Sequence, residues 1–196
     1  DNLFFTVITV TNELNAYKVF ETLNARGVKL SSTDLLKNYL FSIIDNPDVD
    51  DFNSEVKELD DRWNKILDRL GNNNISDYLR VFWLSKYDFV RHMNLFKTIR
   101  SKIKSREDVF KLISDMDQNL DSYLLCVSPE QESLSSSNKL EIELSKLLKL
   151  FRIKQHYPLV MSAKRKLTEQ EFQKTLSYLL VIVFRYTVIG NQPSGD

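Results

Sequence analysis

Residues 20–38, FETLNARGVKLSSTDLLKN, hold the densest set of side chains able to do chemistry. Phe20 and Asn24 are four apart, on one face of a helix predicted over 13–26, and an amide beside a core ring must find hydrogen-bond partners. Arg26 falls in that helix's last turn, where its forked donors can meet C-terminal carbonyls or an anion. Gly27 offers the left-handed residue that closes the helix. Ser31 opens the next helix with Asp34 at the third position, the acidic form of a capping box. Asp34, Lys37 and Asn38 then cluster on one side. Two readings stand. These residues brace a helix–turn–helix corner, or they line part of an anionic-ligand site completed by other chain. The second helix is too apolar to read DNA bases.

Charge supplies the other candidates. Lys+Arg and Asp+Glu both number 27, so bulk charge disfavours a uniformly basic nucleic-acid module. The balance hides a separation. Residues 45–61 carry eight acids against Lys57 alone, whereas 91–106 carry six bases and no acid. Arg100, Lys102 and Lys104 are candidate phosphate contacts. A solvated face, or pairing with the acidic stretch, accounts for the same residues. The acidic stretch lacks the spacing of an EF-hand, and no metal site is expected.

His92 and His156 are the only histidines, and neither has a second ligand at metal spacing. His156, ahead of Pro158, falls at a helix entrance and reads as a structural or capping residue, with acid–base chemistry as the other use. Cys126, alone in YLLCV, reads as a buried, inert thiol in a reducing compartment. Walker, Rossmann, HExxH and serine-elbow patterns are absent, so no catalytic residue is assigned.

The elements that position these groups read as helices. Apolar residues recur at helical spacing over 31–44, from Val56 to Leu70, from Ser76 or Asp77 through Trp83, over 105–127, 139–151 and 158–166, and from 169 onward. Ser105/Asp108 and Thr168/Glu171 mark capping boxes. Residues 3–10, LFFTVITV, read instead as one strand whose sheet partners lie upstream. The expected fold is mainly α, a multi-helix domain preceded by one strand. PEQESLSSSN, 129–138, is the one plausible internal boundary. The longest apolar run, YLLVIVF at 178–184, is too short to span a bilayer, and a cytoplasmic location is expected.

Residues 17–41, YKVFETLNARGVKLSSTDLLKNYLF, resemble the signature of the DUF262 family, the nucleotide-dependent module of GmrSD-type modification-dependent restriction systems. Phe20, Glu21, Leu23, Asn24, Arg26, Gly27, Leu30, Ser31, Asp34, Leu35, Lys37 and Asn38 fall where that motif wants them. The resemblance implies that the strand is left over from a truncated ParB/sulfiredoxin-like α/β region. Residues 1–44 would then be the end of that module and 45–196 a helical domain. It further implies a phage-defence protein using a nucleoside triphosphate and a divalent metal, with DNA, an N-terminal α/β region and a C-terminal HNH nuclease domain as partners. Asn24, Arg26 and Lys37 would approach nucleotide or nucleic acid. Phe20, Glu21, Gly27, Ser31, Asp34 and Asn38 would support the motif.

The DGQQR-type and HNH motifs are not in this sequence, so the piece by itself is expected to be inactive and to need no cofactor. The alternative is a non-enzymatic helical scaffold or domain-contact module. It predicts a large exposed apolar patch, expected around the first strand.

Overall fold

The computed structural model describes residues 32–44, 52–130 and 138–190. Eight α-helices follow one another among them: α1 (Ser32–Ile44), α2 (Phe52–Leu70), α3 (Ile75–Lys86), α4 (Leu95–Lys102), α5 (Arg106–Val127), α6 (Lys139–Leu150), α7 (Tyr157–Lys166) and α8 (Glu169–Phe184). A short 3₁₀ turn, His92–Asn94, leads into α4, and a π-helical turn, Arg185–Ile189, continues α8.

Local chemistry sets the helix starts. Ser105 accepts from the Asp108 amide while Asp108 Oδ2 accepts from the Ser105 amide at 3.0 Å, so two orphan donors of α5 are satisfied reciprocally. Thr168 and Glu171 repeat the arrangement on α8. α3 begins one residue earlier than Ser76, because Asn74 Oδ1 accepts from the Ser76 amide at 2.7 Å and takes the cap. Pro158 sits in the first turn of α7, where its missing N–H has no intrahelical use.

α5, the longest helix, runs through the centre and packs against α1, α2, α3, α6 and α7. Tyr78 of α3, Tyr123 of α5 and Tyr157 of α7 form a row of rings with centroids 5.0 Å and 6.4 Å apart. The Tyr78 hydroxyl donates to the Met116 carbonyl, which settles its polar end inside the core. Tyr39 of α1 donates to the carbonyl of Ile103 at 2.7 Å, at the C-terminal end of α4. That bond satisfies one of the carbonyls a helix end leaves over and ties α1 to the rest. Cys126 is buried in this core and burial pushes its thiol well above the usual range, in keeping with an inert side chain.

The expected leading strand is corrected. No strand occurs among the described residues, and the fold there is all-α. The reason is geometric. The apolar stripe of each helix closes against another helix, and the buried residues from α1 to α8 form one continuous core. That core needs no sheet. Residues 3–10, helix 13–26, Gly27 and Ser31 lie outside the described residues.

α6 and α8 run parallel, with α7 as the return between them. Their N-terminal ends meet where Asn138 Nδ2 donates to Glu169 Oε1 at 2.7 Å, and their C-terminal ends meet at Phe151 and Phe184, 6.2 Å apart. The two helices are therefore matched at both ends, and the π turn Arg185–Ile189 carries the chain past the end of α6.

Candidate interaction surface

Only some of the sequence-predicted site residues lie among the described residues. Asn24, Arg26, Phe20, Glu21, Gly27 and Ser31 lie outside the described residues. Lys37 lies on α1, where its ammonium donates to Asp60 Oδ1 of α2 at 2.8 Å and stands 5.4 Å over the Phe41 ring. Asp34 and Asn38 are exposed on the same helix.

The basic stretch is spread over several partners. The Arg100 guanidinium lies 5.3 Å over Tyr39, and the Lys102 ammonium 5.0 Å over Tyr87. Lys104 is exposed, and its backbone amide serves the α5 cap. Arg106 pairs with Glu55, so the acidic and basic stretches meet among the described residues.

His156 occupies the N-cap position of α7 without capping it. Its ring stands edge-on to Tyr157, Nδ1 has no hydrogen-bond partner, and burial lowers its pKa to about 4. It is a neutral core imidazole at neutral pH. Among the described residues, no group of three or more His, Cys, Asp or Glu side chains could hold a metal ion.

A different place stands out. α6, α8 and the π turn leave between them an open groove of about 400 Å³, lined by Leu147, Leu150, Phe151, Leu180, Val181, Phe184, Arg185 and Ile189. Leu150 is 74% exposed and Ile189 70%. Tyr178 and Ile182 of α8 and Tyr186 and Val188 of the π turn, outside the groove lining, are exposed as well. Single exposed apolar residues are ordinary, whereas a contiguous patch marks a contact surface.

The π turn shapes the end of this surface. The Gly190 amide donates to the Arg185 carbonyl at 2.8 Å, closing a turn one residue wider than an α turn. A Cβ on Gly190 would lie 2.8 Å from the Tyr186 carbonyl oxygen, so only glycine fits there.

The segment Glu169–Ile189 is long and apolar enough to cross a membrane by length and composition. In this fold its other face is committed to the interior: Phe172, Leu176, Leu179 and Val183 are buried core residues. The bundle end is thus built on one apolar helix with two apolar faces, one covered and one open.

Compared with family models, curated proteins and solved structures, the chain matches none of them.

Sequence reasoning missed the groove, yet a signal was present. YLLVIVF carries more apolar residues than one buried face requires, and KLLKLF in α6 does the same. A helix apolar all round is buried on every side or has a further partner. The scaffold alternative expected a patch around residues 3–10, which lie outside the described residues; the groove between α6 and α8 is a separate apolar surface.

Proposed function

We infer that this chain works as a helical scaffold that docks a partner protein through the α6–α8 groove. One observation carries the reading: a folded bundle with a continuous core keeps an open apolar groove, with Leu150 and Ile189 mostly exposed at its edges. Full burial of a large aliphatic side chain contributes roughly 1.5–3 kcal/mol, so covering several such residues is a substantial driving force for association. The nucleotide-dependent restriction reading is carried by the resemblance of residues 17–41 alone. No feature of the fold favours it over docking.

A photo-crosslinking amino acid placed at position 150 or 181 tests the reading in cells expressing the chain. The expected result is one adduct of defined mass from both positions, absent from a probe at the exposed position 107 and abolished by Leu147→Asp. Identical adduct patterns from positions 150 and 107 would overturn it.

A further inference from the structure

The charge around the groove is one-sided. Between Glu143 and Glu169 the sequence holds seven Lys or Arg residues and no acid, of which Lys154, Lys164 and Arg165 face Asp77, Glu141 and the Ser85 carbonyl away from the groove; from Glu171 to residue 190 it holds Lys174 and Arg185 and no acid. Near the groove, Lys146 is paired with Glu143 and Lys149 with Glu130. Arg185, which lines the groove, and Arg152, which follows the lining residue Phe151, are both exposed and have no acidic partner among the described residues. Arg152 also adopts φ +55°, at a helix end where glycine is the usual residue. An exposed cationic residue thus directly follows the groove-lining Phe151 in a backbone conformation that disfavours it.

Three occupants can be weighed on these features. A second copy of this chain, seated about a two-fold axis, would bring the Arg152 and Arg185 of both copies together, and like charges across an interface are costly. A lipid surface would meet a flat or convex apolar crest, whereas here the deepest apolar residues line a concavity between two parallel helices. An amphipathic helix fits both features, because its anchors at i, i+3, i+4 and i+7 enter a groove and its flanks meet the rim.

We propose that the α6–α8 groove receives an amphipathic helix of a partner protein, its apolar stripe seated between Leu150 and Val181 and its bordering carboxylates meeting Arg152 and Arg185. This rests on the docking reading and specifies the partner's chemistry.

The test is a fluorescence-anisotropy titration of the full chain with stapled helical peptides of about 18 residues, long enough to span the groove. All share one leucine stripe and differ only in flanks of Glu, Gln or Lys. The Glu-flanked peptide is expected to bind about tenfold more tightly than the Gln-flanked one, and the Lys-flanked one more weakly still. Arg152→Gln with Arg185→Gln should reduce the Glu advantage to within about twofold and flatten its salt dependence. Leu150→Asp with Val181→Asp should abolish all binding while the far-UV circular dichroism and melting curve stay unchanged, since both positions are exposed.

Equal binding of Glu and Gln peptides, abolished by the aspartate pair, would overturn the acidic partner and leave docking standing. Failure of every peptide, together with failure of the crosslinking above, would overturn both. Two other results would overturn the inference. One is sedimentation with phosphatidylserine vesicles, sensitive to the aspartate pair, without peptide binding. The other is a dimer by light scattering that the same pair dissolves.

Discussion

Lys37 Nζ and Asp60 Oδ1 lie 2.8 Å apart and join α1 to α2, the first two described helices. The ammonium lowers the Asp60 pKa, chiefly through this hydrogen bond. Both side chains are about a third or more exposed, so solvent screens the pair and its contribution is about 0.2–1 kcal/mol. We expect Lys37→Ala and Asp60→Ala each to cost about 0.5 kcal/mol in urea denaturation, with the double variant costing little more than either. Additive losses would show that the two residues act separately. If Lys37 instead serves an anion, Asp60→Asn should strengthen phosphate binding by removing the competing carboxylate.

A second ion pair differs in burial. Glu141 of α6 is fully buried and pairs with Lys164 of α7, whose ammonium also stands 4.8 Å over the Phe172 ring. Removing the cation strands a charge away from water. Lys164→Met is therefore expected to cost about 3 kcal/mol, read as a lower urea midpoint at constant slope. Adding Glu141→Leu should restore most of that stability, because two apolar residues need no compensating charge. A double variant as unstable as Lys164→Met would mean that the loss came from packing on Phe172.

His156 predicts a pH dependence with a definite sign. Its folded pKa is about 4, against an ordinary value of 6.5, because burial disfavours the imidazolium. Between these values the unfolded chain binds more protons than the folded one, so stability falls as pH drops from about 6.5 towards 4. The contribution is full above 6.5 and lost by about 4, with a total of roughly 3 kcal/mol. Chemical denaturation across pH 4–7 should show that slope in the wild type and a flatter one in His156→Leu. An equal slope in both would assign the dependence to other groups.

What the sequence reveals here follows the range of the interaction. Capping boxes at Ser105/Asp108 and Thr168/Glu171 are legible because their partners are three residues apart and their chemistry is local. α4 has no comparable signal: Asn94 at its start makes no side-chain cap, and the helix is held by distant contacts such as Tyr39 on the Ile103 carbonyl. The partner of Lys37 lies 23 residues away, so a cation that reads as a ligand contact in sequence becomes a brace between helices in the fold. The groove depends on several elements at once. It needs α6 and α8 to lie parallel, and a π turn past their ends that depends on the close approach of Gly190 to Tyr186. The excess apolar content of YLLVIVF was visible; the side left uncovered was not.

Arg152 separates stability from docking most cleanly. It takes up φ +55° just after α6, where its amide donates to the Lys149 carbonyl at 3.1 Å. A Cβ in this region costs about 1–2 kcal/mol, and glycine avoids that cost while losing more backbone entropy on folding. Arg152→Gly is therefore expected to stabilise the chain by about 0.5–1 kcal/mol, seen as a higher melting temperature. The same variant should bind the Glu-flanked helix more weakly and the Gln-flanked helix unchanged, because only the charge that follows Phe151 is lost. A gain in stability with unaltered preference for Glu would remove Arg152 from the interface and leave Arg185 to carry the selectivity alone. A loss of stability would show instead that the arginine stem packs against the bundle and that its conformation is set by that packing.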